Sequence, residues 1–276
     1  RSTLLASSAA SDVYKRQDGC NRHVLIDECR ELFGEIYEQI PELPFCNIWT
    51  AMQLSSRLPK GALFHMGVSN TRRCWNMFQL PESVESACNV GCCGIDGCVS
   101  TLVGASLVNP DRLCYVVVGD LTFFYDLNSL GNHHIGTNLR VMLVNNGRGT
   151  EFRLGIHHCN VFGDDADKYM AAAGHFGNKS PLLVKHYAED LGFHYLSATT
   201  KEEFMTALSN FTNPQLSDHS MILEVFTDSK DESEALYLMS HIQSDAKGMV
   251  RSKLKDAVRN VAGEKGINAI KKILKK

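Results

Sequence analysis

Residues 113–152, LCYVVVGDLTFFYDLNSLGNHHIGTNLRVMLVNNGRGTEF, hold two apolar runs that each stop at a polar turn. Residues 113–118 (LCYVVV) are continuously apolar and rich in β-branched side chains, as a strand buried on both faces should be. The run ends in Gly119-Asp120. A helix-compatible segment at 122–130 follows, and residues 139–144 form a second buried-strand run that ends in Asn145-Asn146-Gly147. Strand, crossover helix and strand imply a βαβ unit, and its right-handed geometry sends both strand ends to one edge of a parallel sheet.

The flanking sequence repeats the alternation. Upstream, 47–58 suits a helix and 62–66 a short strand closed by the turn Gly-Val-Ser-Asn at 67–70. Downstream, Ser180-Pro181 is placed to open a helix with Ser as N-cap and Pro in its first turn, and Gly192 to end it. Residues 193–196 read as a strand, 201–211 as a helix and 221–226 as a strand. The expected fold class is therefore α/β, a parallel sheet flanked by helices on both faces.

Ligands of such sheets sit in the crevice at the carboxyl ends of the strands. Asp120 and Asn146 are predicted to converge there. A carboxylate and an amide oxygen are hard ligands suited to Mg2+ carrying phosphate groups, and the helix beginning near Thr122 would turn its free N–H groups to the same point. Each turn sequence alone is common in loops. The argument rests on finding both at strand ends, one crossover apart.

Composition sets limits on function. The chain has 276 residues, 44% hydrophobic and 21% charged, with a net charge of -3. That balance gives no electrostatic case for nucleic acid or an anionic membrane, and no run reaches the roughly 18 apolar residues of a spanning helix. Ten cysteines without a C-x-x-C pair fit small buried hydrophobes in a reducing cytoplasm better than a disulfide framework. A zinc module built on Cys88, Cys92, Cys93 and Cys98, or on the pairs His133-His134 and His157-His158, is a minor alternative.

Residues 119–130 (GDLTFFYDLNSL) with 144–152 (VNNGRGTEF) resemble the cofactor motif of thiamine-diphosphate-dependent enzymes. Residues 89–101 (NVGCCGIDGCVST) and 67–73 (GVSNTRR) are similar to two further blocks of the menaquinone-pathway synthases of that family, those that make 2-succinyl-5-enolpyruvyl-6-hydroxy-3-cyclohexene-1-carboxylate. The likeness runs from about 46 to 226 and covers the C-terminal, diphosphate-binding third of such an enzyme.

The resemblance implies thiamine diphosphate and Mg2+ as cofactors. Asp120, the Asn146 side chain and the Arg148 carbonyl would ligate the metal. Gly119, Leu121 and Thr122 would hold the diphosphate. Ile95, beside Gly94, would be the apolar wedge that bends the cofactor, and the Cys93 carbonyl would accept from its aminopyrimidine. Ser69, Arg73 and Phe152 would face substrate. The implied reaction is decarboxylation of a 2-oxo acid and transfer of the remaining carbanion to an acceptor, with the cofactor as electron sink. Two positions depart from the family's pattern. Val90 replaces a substrate-binding arginine and Glu151 an apolar acceptor-pocket residue, so a different acceptor is expected, since a buried unpaired charge is costly.

The expected organisation is an extension at 1–17 that resembles an adapter junction, a linker at 18–45 from a missing upstream domain with a short helical pattern at 25–40, a cofactor domain at 46–230, and a helical segment at 231–276 whose stretch 247–276 is basic. No carboxylate here matches the family's catalytic glutamate. The chain is expected to be inactive alone, and to act as part of a cytoplasmic homodimer or homotetramer on a small 2-oxo acid. The competing reading is a non-catalytic phosphate- or nucleotide-binding α/β module.

Overall fold

The computed structural model describes residues 20–91, 93–155, 157–175 and 180–242. The chain divides into two compact units, Arg1–Glu42 and Leu43–Lys276. In the first, residues expected to be a linker form a helix, α1 (Cys20–Glu38), which closes in a turn ahead of Pro41. Of the basic segment that closes the chain, residues 243–276 lie outside the described residues.

The second unit is built on six parallel strands: β1 (Leu63–Met66), β2 (Glu85–Cys88), β3 (Cys114–Gly119), β4 (Leu139–Asn145), β5 (His194–Ala198) and β6 (Met221–Phe226). Their order is β2-β1-β3-β4-β6-β5. The central strands β3, β4 and β6 are buried almost throughout, which is why their sequences read as mainly apolar runs, interrupted only by Arg140 and Glu224 ahead of the closing Asn145. The edge strand β2 is largely exposed and carries Glu85-Ser86.

Alternation along β3 divides the core in two. Cys114, Val116 and Val118 join Val141, Leu143 and Ile222 under α4 (Cys98–Val108) and α7 (Leu183–Asp190). Tyr115 faces the other way, its ring 5.5 Å from Phe211 of α8 (Lys201–Phe211). Beside it in register, Phe64 packs 5.2 Å from Trp75 of α3 (Asn70–Trp75). Helix α2 (Asn47–Leu54) joins this side, with Trp49 5.6 Å from Phe204 of α8. Helices thus cover both faces. Among the described residues no helix is long and apolar enough to cross a membrane.

Two helices start elsewhere than the sequence predicts. α5 (Asp120–Tyr125) begins at the aspartate itself and gives way to a 3-10 turn at Leu127–Gly131. α7 begins at Leu183 with Leu182 as its N-cap, because Ser180 and Pro181 are spent on a turn in which the Ser180 carbonyl accepts from the Leu183 N–H. Gly192, at φ 80°, follows that helix in the left-handed conformation that glycine adopts without strain.

Candidate cofactor-binding crevice

After β1 the chain adds β2 outward on one side and then β3 on the other, so the order reverses between β1 and β3. At such a reversal the connections leave to opposite sides and open a crevice at the carboxyl edge. A cavity of about 580 Å³ lies there. Its walls are the segments that leave the strands: Val68–Thr71 after β1, Cys93–Asp96 ahead of α4, Gly119–Thr122 after β3, and Asn146 with Arg148–Phe152 after β4.

Asp120 stands at its centre, buried to 2% exposure. One carboxylate oxygen, Oδ1, accepts from the Leu121 N–H (2.8 Å). Oδ2 accepts from the Gly147 N–H (2.7 Å) and contacts His175 Nε2 (2.8 Å). The Gly147 bond draws the peptide that follows Asn146 onto the aspartate, so the two strand ends do meet. Gly147 reaches this position with φ 81°. The Leu121 N–H, one of the donors expected to face an anion, is already committed to Asp120. Packing of the His175 ring on Phe124, with centroids 5.1 Å apart, holds the imidazole in place.

Among the residues predicted from sequence, Ser69, Cys93, Gly94, Ile95, Gly119, Leu121, Thr122, Asn146, Arg148 and Phe152 line the crevice with Asp120. Ser69 (φ 61°) and Cys93 (φ 52°) hold backbone conformations that side chains other than glycine's rarely adopt, strain of a kind that concentrates at binding sites. Arg73 is absent from the lining. Its guanidinium makes a two-pronged ion pair with Glu151 (2.6 and 3.0 Å), and that pairing raises its pKa above the usual arginine value. The expectation of an unpaired Glu151 charge is therefore corrected, because Arg73 meets it. Arg148 likewise bonds Asp167 at 2.9 Å. Val90 is exposed and outside the lining.

The two histidine pairs, offered as alternative zinc ligands, lie in different places. His133 lines a separate cleft with Thr137, Phe193 and Ser220, residues that enter β4, β5 and β6 at their amino ends. A chain returning from a crossover helix must approach its next strand from that opposite edge. His157 packs instead against Phe152, with ring centroids 5.2 Å apart. Among the described residues no three His, Cys, Asp or Glu side chains group closely enough to hold a metal ion. Cys88, Cys93 and Cys98 are free thiols, and Cys92 lies outside the described residues.

Sequence reasoning missed the polar layer beneath the crevice. Glu224 of β6 accepts from Asn145 (2.8 Å) and Tyr195 (2.7 Å), and burial raises its pKa. Glu232 of α9 (Ser229–Ser240) accepts from the Asn47 N–H at the head of α2 (3.0 Å) and from the Thr227 hydroxyl (2.7 Å). Asn47 in turn takes the Trp75 indole N–H (2.9 Å) and lines the crevice. His175 and Glu232 fall far from the motif in sequence, and no pattern around either marks it.

Asp120 and Asn146 bring hard side-chain oxygens to the crevice lining, and Gly119 opens onto it with no atom within 4 Å of where a Cβ would project. Space and chemistry both suit a divalent cation with a phosphate-bearing ligand. Fold and crevice together define a parallel α/β ligand-binding domain.

No family model matches the chain. It is similar to the curated 2-succinyl-5-enolpyruvyl-6-hydroxy-3-cyclohexene-1-carboxylate synthase of Bacteroides fragilis, with 34% identity over 196 residues, covering 71% of this chain and 34% of that protein. The synthase of Christiangramia forsetii is 33% identical over 199 residues (72% and 33%), and that of Flavobacterium psychrophilum 30% over 188 (68% and 32%). The chain is a homologue of these synthases and spans about a third of their length.

Proposed function

We propose that this chain is the thiamine-diphosphate- and Mg2+-binding part of a decarboxylase/carboligase that takes a small 2-oxo acid as donor and a different acceptor from its menaquinone-pathway relatives. The observation that carries the reading is the bond from Gly147 N–H to Asp120 Oδ2, which brings two strand ends bearing hard oxygen ligands together at the reversal of the sheet. Asp120, the Asn146 amide and the Arg148 carbonyl would hold the cation, and Thr122 would bind the diphosphate. Ile95 and the Cys93 carbonyl would orient the ring system. When bound, the cofactor supplies the electron sink for loss of CO2. This chain's residues fix its position and turn fixed dipoles toward it. The catalytic carboxylate is assigned to a separate domain, so the isolated chain binds cofactor without turnover, and the complete enzyme works as a homo-oligomer.

Calorimetric titration of the chain with thiamine diphosphate tests this. Binding is expected with Mg2+ present and lost on chelation. ADP should compete weakly, needing at least about tenfold more ligand for the same displacement. If ADP binds more tightly than thiamine diphosphate, the chain is a nucleotide-binding module and the proposal fails.

A further inference from the structure

The charged residues of the crevice wall are Asp96, Asp120, Arg148 and Glu151. Among the described residues of the wall the one Lys or Arg is Arg148, which already faces Asp167. Arg73 stands just behind the wall, and its charge is matched by both oxygens of Glu151. This second pair ties α3, which follows β1, to the 3-10 turn at Thr150–Arg153, which follows β4. It therefore joins two opposite walls of the crevice across the end of β3. Glu151 is the partner that reaches the lining, with its side chain 21% exposed.

We infer that Glu151 makes this wall selective for uncharged ligands: the second substrate presents hydroxyl, carbonyl or amide groups here and no carboxylate. A carboxylate approaching the wall meets the Glu151 charge first. To reach Arg73 it must displace a two-pronged partner that is covalently part of the protein, and then leave that partner's charge without its cation. A neutral oxygen or amide needs neither step. Rejection of a carboxylate therefore comes from the cost of breaking the Arg73–Glu151 pair and leaving Glu151 uncompensated beside a like charge. This rests on the crevice being the substrate site of the proposed enzyme, and it specifies the acceptor class for that site.

The test uses two isosteric probes, succinate and its diamide succinamide, titrated onto the full chain without thiamine diphosphate or Mg2+ and followed by ligand-observed NMR. The parent is expected to favour succinamide. Glu151→Gln should shift the ratio of dissociation constants by about tenfold or more towards succinate, the size of one unit charge acting at contact range near a protein surface. Adding Arg73→Met to that variant should cancel the gain, which a general loosening of the loop would not do. The inference is overturned if the parent prefers succinate, if Glu151→Gln leaves the ratio unchanged, or if neither probe binds either protein. Because cofactor titration involves neither probe, a chain that binds thiamine diphosphate with Mg2+ but shows no Glu151 effect keeps the proposed function and loses this inference alone.

Discussion

Replacing Asp120 by Ala should lower Mg2+-dependent binding of thiamine diphosphate by more than about 100-fold. Partners that merely orient a metal ligand are worth about 10–100-fold, and Asp120 is proposed as the ligand itself. Among the described residues it is also the one buried carboxylate of the crevice wall. The same substitution removes the acceptor of the buried Gly147 N–H, at a cost of about 1–3 kcal/mol in stability. Loss of binding must therefore be separated from loss of fold. Asp120→Asn does this better, since its amide oxygen can keep the Gly147 bond and only the local acceptor of the Leu121 N–H is lost, while the negative charge is gone. Circular dichroism and thermal melting should show Asp120→Asn folded and close to the parent, with cofactor affinity reduced at least about tenfold. If a folded Asp120→Ala protein retained affinity within threefold of the parent, the cation would have to sit elsewhere and the proposed function would fall with it.

That prediction was legible in the sequence because the two residues proposed as oxygen ligands follow strands of clear pattern. β3 is apolar without interruption, β4 and β6 are broken only by the buried Arg140 and Glu224, and βαβ handedness then fixes which edge carries Asp120 and Asn146. β2 escaped notice for the opposite reason. Its four residues, ESAC, lie at an exposed edge where no alternation is imposed. α4 was hidden by its composition: CVSTLVGASLV mixes β-branched and small residues with almost no polar face, so helical periodicity has nothing to show. The pairing of Arg73 with Glu151 was illegible because it depends on how far two loops reach across the crevice, and no local pattern encodes that distance. What composition suggested, an uncompensated negative charge, was reversed by geometry.

The carboxylate layer under the crevice should make folding stability fall as pH rises. Burial is the largest cause holding the Glu232 carboxyl up at about 7 against an ordinary 4.5, with repulsion from Asp231 and Asp120 adding to it. The Thr227 hydroxyl and Asn47 N–H pull the other way, and Oε2 has no partner to reward ionisation. A carboxyl whose folded pKa lies above its unfolded value favours folding while protonated. Its contribution is complete below about pH 4.5 and is lost as pH climbs through about 7. A displacement of that size corresponds to roughly 3 kcal/mol. Glu224 is shifted in the same direction, and buried His65, whose pKa is lowered, acts oppositely on the acid side. The parent's slope is therefore a sum, and the Glu232 part is isolated by difference. Glu232→Gln keeps an oxygen for Asn47 and Thr227 and cannot ionise. Its stability relative to the parent should improve by up to about 3 kcal/mol between pH 5 and 8, read from urea unfolding at each pH. Parallel curves for the two proteins would show that Glu232 titrates alike folded and unfolded.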